Sequence, residues 1–223
     1  MTIIIAEPSS AWTYTILQAK VLDWLHRSDL ATQVEDFISL AEDELNTELR
    51  IRLMEVDTDL TVSAGDRTVA LPARYIEPVK LELVYGDGSD NQELVYLPMS
   101  RFVRSAAIGS AVEPRYWTIN EESIEFPDPV DRDYSLIFRI LRLLDIASTE
   151  TNALLTQYKG LYLYGALLQA APYIRDDARI PMWQQQYDRL KAKVMKKEAR
   201  NKALATLMTD APGIRYRSNI LRG

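Results

Sequence analysis

The chain has 223 residues, 47% of them hydrophobic and 26% charged, a composition that places it with folded proteins and excludes the disordered class. It contains no cysteine, which excludes a disulfide framework, a thiolate zinc site, an iron–sulfur cluster and a cysteine nucleophile. The net charge of −6 is uneven: residues 191–223 hold nine Lys or Arg against two acids, a net +7, leaving −13 on the first 190. A basic end on an acidic body is a pattern used for association with a partner.

The opening "MTIIIAEPSSAW" has an apolar run of three and no basic residue before it. A secretory signal needs a positive start and an apolar core of roughly 7–15 residues. A bilayer span needs about 20. Neither a signal nor a membrane role is expected.

Thr13 or Thr15 can cap a first helix whose apolar positions are Ile16, Leu17, Val21, Trp24 and Leu25. After a turn at "RSDL", a second helix runs from about Ala31 to Arg52. Val34, Phe37, Ile38, Ala41, Leu45 and Leu49 form its apolar stripe, with Glu35, Asp36, Glu42, Asp43, Glu44 and Glu48 on the opposite face. The period then changes to that of strands: "VDTDLTV", "TVALP", "VKLELVY", "QELVYL", "RYWTI", "SIEF" and "YSLIFRILRLL". "GDGSDN" and "NEE" read as hairpin loops, and Pro98 to Ala107 as a short helix. Helices return over Leu154–Ile174 and from Asp177 to about Thr206, the latter with Trp183, Tyr187, Leu190 and Val194 as its stripe. The final "TDAPGIRYRSNILRG" has no periodicity and reads as an extended tail.

The order predicts an α+β fold: a helical bundle of about four main helices with an antiparallel β insert between helical pairs, and an extended C-terminal tail. The expected parts are an N-terminal helical pair at 1–55, the β insert at 56–147, a helical pair at 148–207 completing the bundle, and the tail at 208–223. Together they would form one structural domain.

Chemistry is sparse. His26 is the only histidine, beside Arg27 at a helix end, where a structural role is expected over metal binding or acid–base work. There is no Gly-x-Ser-x-Gly elbow, no phosphate-binding glycine loop, and "YGDGSDN" lacks the spacing of a calcium loop. Paired acids are abundant (Glu35/Asp36, Glu42/Asp43/Glu44, Glu121/Glu122, Asp176/Asp177), but i, i+1 pairs do not face each other on a helix, and those of the second helix lie opposite its apolar stripe, where a solvated face is expected. Leu161–Ile174 is free of charge and mixes small residues (Gly165, Ala166, Ala170, Ala171) with tyrosines. A helix apolar all round is one buried by protein on every side. No catalytic residue, cofactor or metal is expected.

Four segments in order resemble one family: "TYTILQAKVLDWLHRSDLATQVEDFISLAEDELNTELRIRLME", "LPARYIEPVKLEL", "EPRYWTINEESIEFPDP" and "YLYGALLQAAPYIRDDARIPMWQQQYDRLKAKV". Together they resemble the head–tail adaptor (connector) proteins of tailed bacteriophages. The resemblance implies a non-enzymatic virion protein at the head–tail junction, made in the bacterial host cytoplasm. It implies a homo-oligomeric, dodecameric ring beneath the portal protein, extending the DNA channel and offering a platform to the downstream tail or nozzle protein. DNA would pass through without sequence-specific binding.

Within the tail, Ile214, Arg215, Tyr216, Arg217, Ile220 and Leu221 combine apolar anchors with arginines, as a partner-binding arm needs, and are the expected contacts to portal or neighbouring subunit. The alternative is a packaging-associated nucleic-acid-binding protein using the basic helix "RLKAKVMKKEARNK". A third reading, a carboxylate-dependent nuclease or hydrolase, would rest on Asp176 and Asp177.

Overall fold

The structure, a computed structural model, describes residues 12–86, 89–104, 111–174 and 178–209, with 202–209 described by backbone alone. The chain divides into a helical unit, built from the residues up to Ile51 and from Asp145 onward, and a β unit, Arg52–Leu144.

In the helical unit, α1 (Tyr14–Leu25) starts where the Thr13 hydroxyl accepts the Ile16 N–H at 3.3 Å, satisfying one orphan donor of the first turn. It ends where His26 takes a left-handed conformation, φ 56°, with its own N–H returned to Asp23. α2 (Val34–Glu48) buries the stripe its sequence outlines, from Val34 to Leu45, and Leu49 just beyond it is also fully buried. α3 (Ile146–Thr149) is one turn capped by Asp145, and α4 (Ala153–Ile174) is the hub, in contact with α1, α2 and α5 (Ile180–Thr209).

α4 is kinked at Tyr158, whose backbone (φ −135°, ψ 47°) leaves the helical region. Beyond the kink, Leu161, Tyr162, Leu163, Ala166, Leu167 and Ala170 are all buried, so the uncharged run is a core helix. Gly165 permits a close approach: a Cβ there would lie 3.1 Å from the Ala41 Cβ of α2 and 3.5 Å from the Tyr187 ring of α5. On α5, Trp183, Tyr187 and Val194 are buried and Leu190 is half-buried.

The β unit overturns the expectation of a helical bundle carrying a small antiparallel insert. Its strands are β1 (Glu55–Val62), β2 (Thr68–Ala70), β3 (Tyr75–Val84), β4 (Gln92–Tyr96), β5 (Tyr116–Asn120), β6 (Ser123–Glu125) and β7 (Tyr134–Arg142). They form a single seven-stranded sheet in the order β1-β7-β3-β4-β5-β6-β2. The sheet is mixed, because β4 and β5 run parallel. Its two ends, β1 and β2, are in contact, so it forms a nearly closed barrel, and the chain has about four main helices in addition. Only β3–β4 and β5–β6 are the local hairpins that turn residues announce; β1–β7 and β2–β6 join strands distant in sequence.

The physical reason is burial. A lone two-stranded hairpin is marginal in water, and apolar faces of seven short strands are covered only when the strands share one core. That core contains Leu81, Leu83, Leu94, Trp117, Ile124, Phe126, Leu136, Phe138 and Ile140. β7 lies between β1 and β3 and is paired along both edges; its Tyr134, Leu136, Phe138 and Ile140 row is buried, and Ile137 and Leu141 on the other face are half-buried. Residues 98–104 are not helical: Arg101 and Phe102 donate to the Pro98 carbonyl in a turn, and 105–107 of the expected short helix lie outside the described residues.

Candidate functional site

The tail residues Ile214, Arg215, Tyr216, Arg217, Ile220 and Leu221 lie outside the described residues, as do Asp176 and Asp177. His26 stands at an exposed helix end as a backbone cap. Among the described residues no group of three His, Asp or Glu could hold a metal ion, and no helix is long and apolar enough to cross a membrane.

The acids of α2 are used as helix ties. Glu35 accepts from Gln18 of α1 at 3.2 Å, Glu44 from Gln169 of α4 at 2.9 Å, and Glu48 pairs with Lys191 of α5 at 2.5 Å. Glu42 departs furthest from expectation: it is 6% exposed, not part of a solvated face. Its two oxygens accept the Ile146 N–H at 3.1 and 3.0 Å, and one also accepts the Tyr162 hydroxyl at 2.8 Å. Tyr162 in turn accepts from Asn152 at 2.7 Å. Burial pushes the Glu42 carboxyl above its ordinary range, partly offset by the hydrogen bonds from Tyr162 and Ile146. Burial and the Glu42 charge both push the Tyr162 hydroxyl up, so it stays a neutral donor. The signal was present in the sequence: Ile38, Glu42, Leu45 and Leu49 follow i, i+4, i+7, i+11, which places Glu42 on the stripe.

On α5, Lys197 reaches back toward α4, 3.5 Å from the Gln157 amide oxygen and 5.5 Å above the Tyr158 ring. Lys193, Lys196 and Arg200, at i, i+3, i+7, are exposed along one face.

The β unit carries the other exposed features. Val95 and Tyr116 are register partners across the β4–β5 seam and are 53% and 47% exposed. Beside them a groove of about 340 Å³ is lined by Val112, Pro114, Tyr116, Phe126 and Pro127, together with the charged Glu113, Arg115 and Asp128. The Tyr85 hydroxyl lies 2.7 Å from a Glu113 oxygen and 2.6 Å from the Gln92 amide oxygen. Apolar surface of this kind marks an association face more than a reaction centre.

Behind the same strands, Glu125 points outward from β6 yet its side chain is 3% exposed. Arg104, in the segment after β4, donates to it through Nε and Nη2, the latter at 3.0 Å, and Asn120 donates to it at 3.0 Å. The Arg104 hydrogen bond holds this carboxyl below its ordinary range. A depressed carboxyl contributes stability above its unfolded value near 4.3, and that contribution is lost as pH falls. Arg104→Ala is therefore expected to lower the urea midpoint at pH 7, and the difference from wild type to close by about pH 3. A midpoint difference unchanged between the two pH values would show that the pair does not act through charge.

The arrangement offers surfaces and ties, with no nucleophile–base pair among the described residues. A family model described as SU10 adaptor protein matches residues 12–211. No curated protein matches the chain.

Proposed function

The chain belongs to the SU10 adaptor protein family, a family of phage structural proteins, and from that premise we propose that it forms a ring at the head–tail junction of the virion. In this reading the ring is dodecameric, binds beneath the portal, extends the DNA channel and presents a platform to the tail or nozzle protein. The observation that carries the reading is the family match from residue 12 to 211, which runs through both units. Two features support it. The half-exposed Val95 and Tyr116 beside the groove give the β unit an apolar contact face. The net −13 of the first 190 residues suits a channel along which DNA slides without sticking. The tail residues Ile214, Arg215, Tyr216, Arg217, Ile220 and Leu221 serve as the arm that engages portal or neighbouring subunit.

Negative-stain microscopy of the purified chain, with and without the portal of the same phage, tests this. Rings seated on portals are expected in the mixture, and a chain deleted for 209–223 is expected to fold but not to be incorporated. Portals that stay bare with the full-length chain would refute the adaptor role.

A second reading has one observation in its favour, the exposed basic face Lys193, Lys196 and Arg200 of α5. A nucleic-acid-binding protein using that face would show DNA affinity falling steeply between about 50 and 200 mM salt in fluorescence anisotropy. The adaptor reading expects no such binding by the isolated chain.

A further inference from the structure

β1 is an eight-residue strand paired on one side only. Every residue from Glu55 to Val62 is in register with β7, and β1 ends the strand order. At the other end of the sheet, β2 has three residues, all paired to β6. Three residues span about 10 Å and eight about 27 Å, so β2 is too short to cover the edge of β1. Among the described residues, that edge meets no further strand. Long open edges are normally blunted with proline, lysine or a bulge. β1, "EVDTDLTV", has none of these and no register shift against β7; the charges it does carry, Glu55, Asp57 and Asp59, are all acidic and leave it open to a basic strand.

The side chains of β1 sort into two rows. Val56, Thr58, Leu60 and Val62 align with Ile140, Phe138, Leu136 and Tyr134, the core row of β7. Those four β7 residues are at most 5% exposed, whereas Val56 is 36% exposed and Thr58 and Leu60 are half-buried. Val62 is buried at 2%, so the core row lacks its cover on the outer side of β1 only over Val56, Thr58 and Leu60. The other row is acidic: Glu55, Asp57 and Asp59. Asp57 is held by Arg139 at 2.6 and 2.7 Å, and Asp59 has no ion-pair partner among the described residues.

We infer that β1 takes up Ile214–Arg217 of a second copy of this chain as an added strand. The sequence Ile-Arg-Tyr-Arg alternates apolar with basic, the complement of this edge. In that register Ile214 and Tyr216 extend the core row beside Val56, Thr58 and Leu60, and Arg215 and Arg217 meet the acidic row. The parity is forced, because a slip of one residue places both arginines on the core row. The N-terminal "TIII" is apolar at successive positions and brings no base, so it fits one row at the expense of the other. Residues 210–213 span up to about 14 Å when extended, enough to carry Ile214–Arg217 to a subunit packed beside the end of α5. Donor segment and acceptor edge are different surfaces of one chain, so the contact is heterologous, the kind that generates a ring where the rotation between copies closes. The inference rests on the reading of the tail as the arm of an adaptor ring and names what that arm grips.

The chain has no cysteine, so introduced thiols report without background. Full-length Asp59→Cys is mixed with full-length Arg215→Cys, Tyr216→Cys or Arg217→Cys, both as purified chains and on portals. Disulfides between the two chains are then read on non-reducing gels. Pairs with Arg215→Cys and Arg217→Cys are expected to close about tenfold faster than the pair with Tyr216→Cys or with Lys20→Cys, an exposed α1 control. Tyr216→Cys is expected to close instead onto Thr58→Cys. Equal rates at the three tail positions, or none above the Lys20→Cys control in either condition, would overturn the strand pairing. A chain carrying both Asp59→Cys and Arg217→Cys that closes only on itself would overturn the second copy as occupant. Rings on portals without the alternating pattern would leave the adaptor role standing and remove this inference. The alternating pattern with bare portals would do the reverse.

Discussion

Trp117→Ala is expected to destabilise the β unit by about 4 kcal/mol. Trp117 is 2% exposed and stands in β5 at the seam where the sheet is thinnest. β4 and β5 share two register pairs, supported by backbone bonds from Val95 to Arg115 and from Leu97 to Trp117. The indole bridges that seam. Its N–H donates to the Leu94 carbonyl at 3.1 Å, and its ring meets Tyr96 at 5.0 Å and Phe138 at 5.5 Å, both edge-on. Truncation removes the ring, leaves a cavity and frees a buried carbonyl, so β5-β6-β2 loses its hold on the other four strands. Urea titration followed by near-ultraviolet circular dichroism measures the loss, and hydrogen exchange is expected to quicken in β5 and β6 first. Trp117→Phe keeps most of the packing and loses the hydrogen bond, for which about 1–2 kcal/mol is expected. A Phe variant as weak as the Ala variant would show that the hydrogen bond, not the ring, holds the seam.

Glu42→Ala is expected to cost the helical unit about 3 kcal/mol. Two buried donors, the Ile146 N–H and the Tyr162 hydroxyl, lose their acceptor, at roughly 1–3 kcal/mol each. Part is returned because a desolvated carboxylate no longer has to be buried. Glu42→Gln keeps one acceptor oxygen and is expected to cost about 1 kcal/mol. The pH dependence carries a sign that separates charge from packing. The folded value of Glu42 is raised, so the unfolded chain ionises first as pH rises. Its contribution is therefore whole below the unfolded value near 4.3 and declines as pH rises through the raised folded value. Wild type is accordingly expected to gain on Glu42→Gln as pH is lowered from 7 to about 4, in urea titrations followed at the helical circular dichroism band. A gap that widens with rising pH in wild type's favour would mean that the hydrogen bonds outweigh burial.

Both residues show how legibility divided. The helix stripes Val34–Phe37–Ile38–Ala41–Leu45 and Trp183–Tyr187–Val194 were readable because a 3.6-residue period states which face is buried. The uncharged α4 run was readable as a core helix for the same reason. Glu42 was legible by spacing and was misassigned by residue type, since a carboxylate reads as solvent-facing until a buried donor for it is known. Glu125 was not legible at all. Strand alternation turns it outward, and only the segment bearing Arg104, which binds it from outside the strand, explains its burial.

The phage-adaptor family was legible from ordered segments of the chain, and the family match carries the same assignment. The sheet was not. A two-residue period identifies a strand and the face it buries, but names no neighbour. Hairpin loops announce only neighbours adjacent in sequence. The pairings β1–β7 and β2–β6, and the parallel β4–β5 seam, are set by which apolar faces can share one core. What the sequence by itself determined was local: strand and helix positions, helix faces, and a tail whose apolar and basic residues alternate. Tertiary structure decided how far the β strands outgrow an insert, where two carboxylates are buried, and which edge is left open. Those outcomes depend on long-range burial, and no local period encodes it.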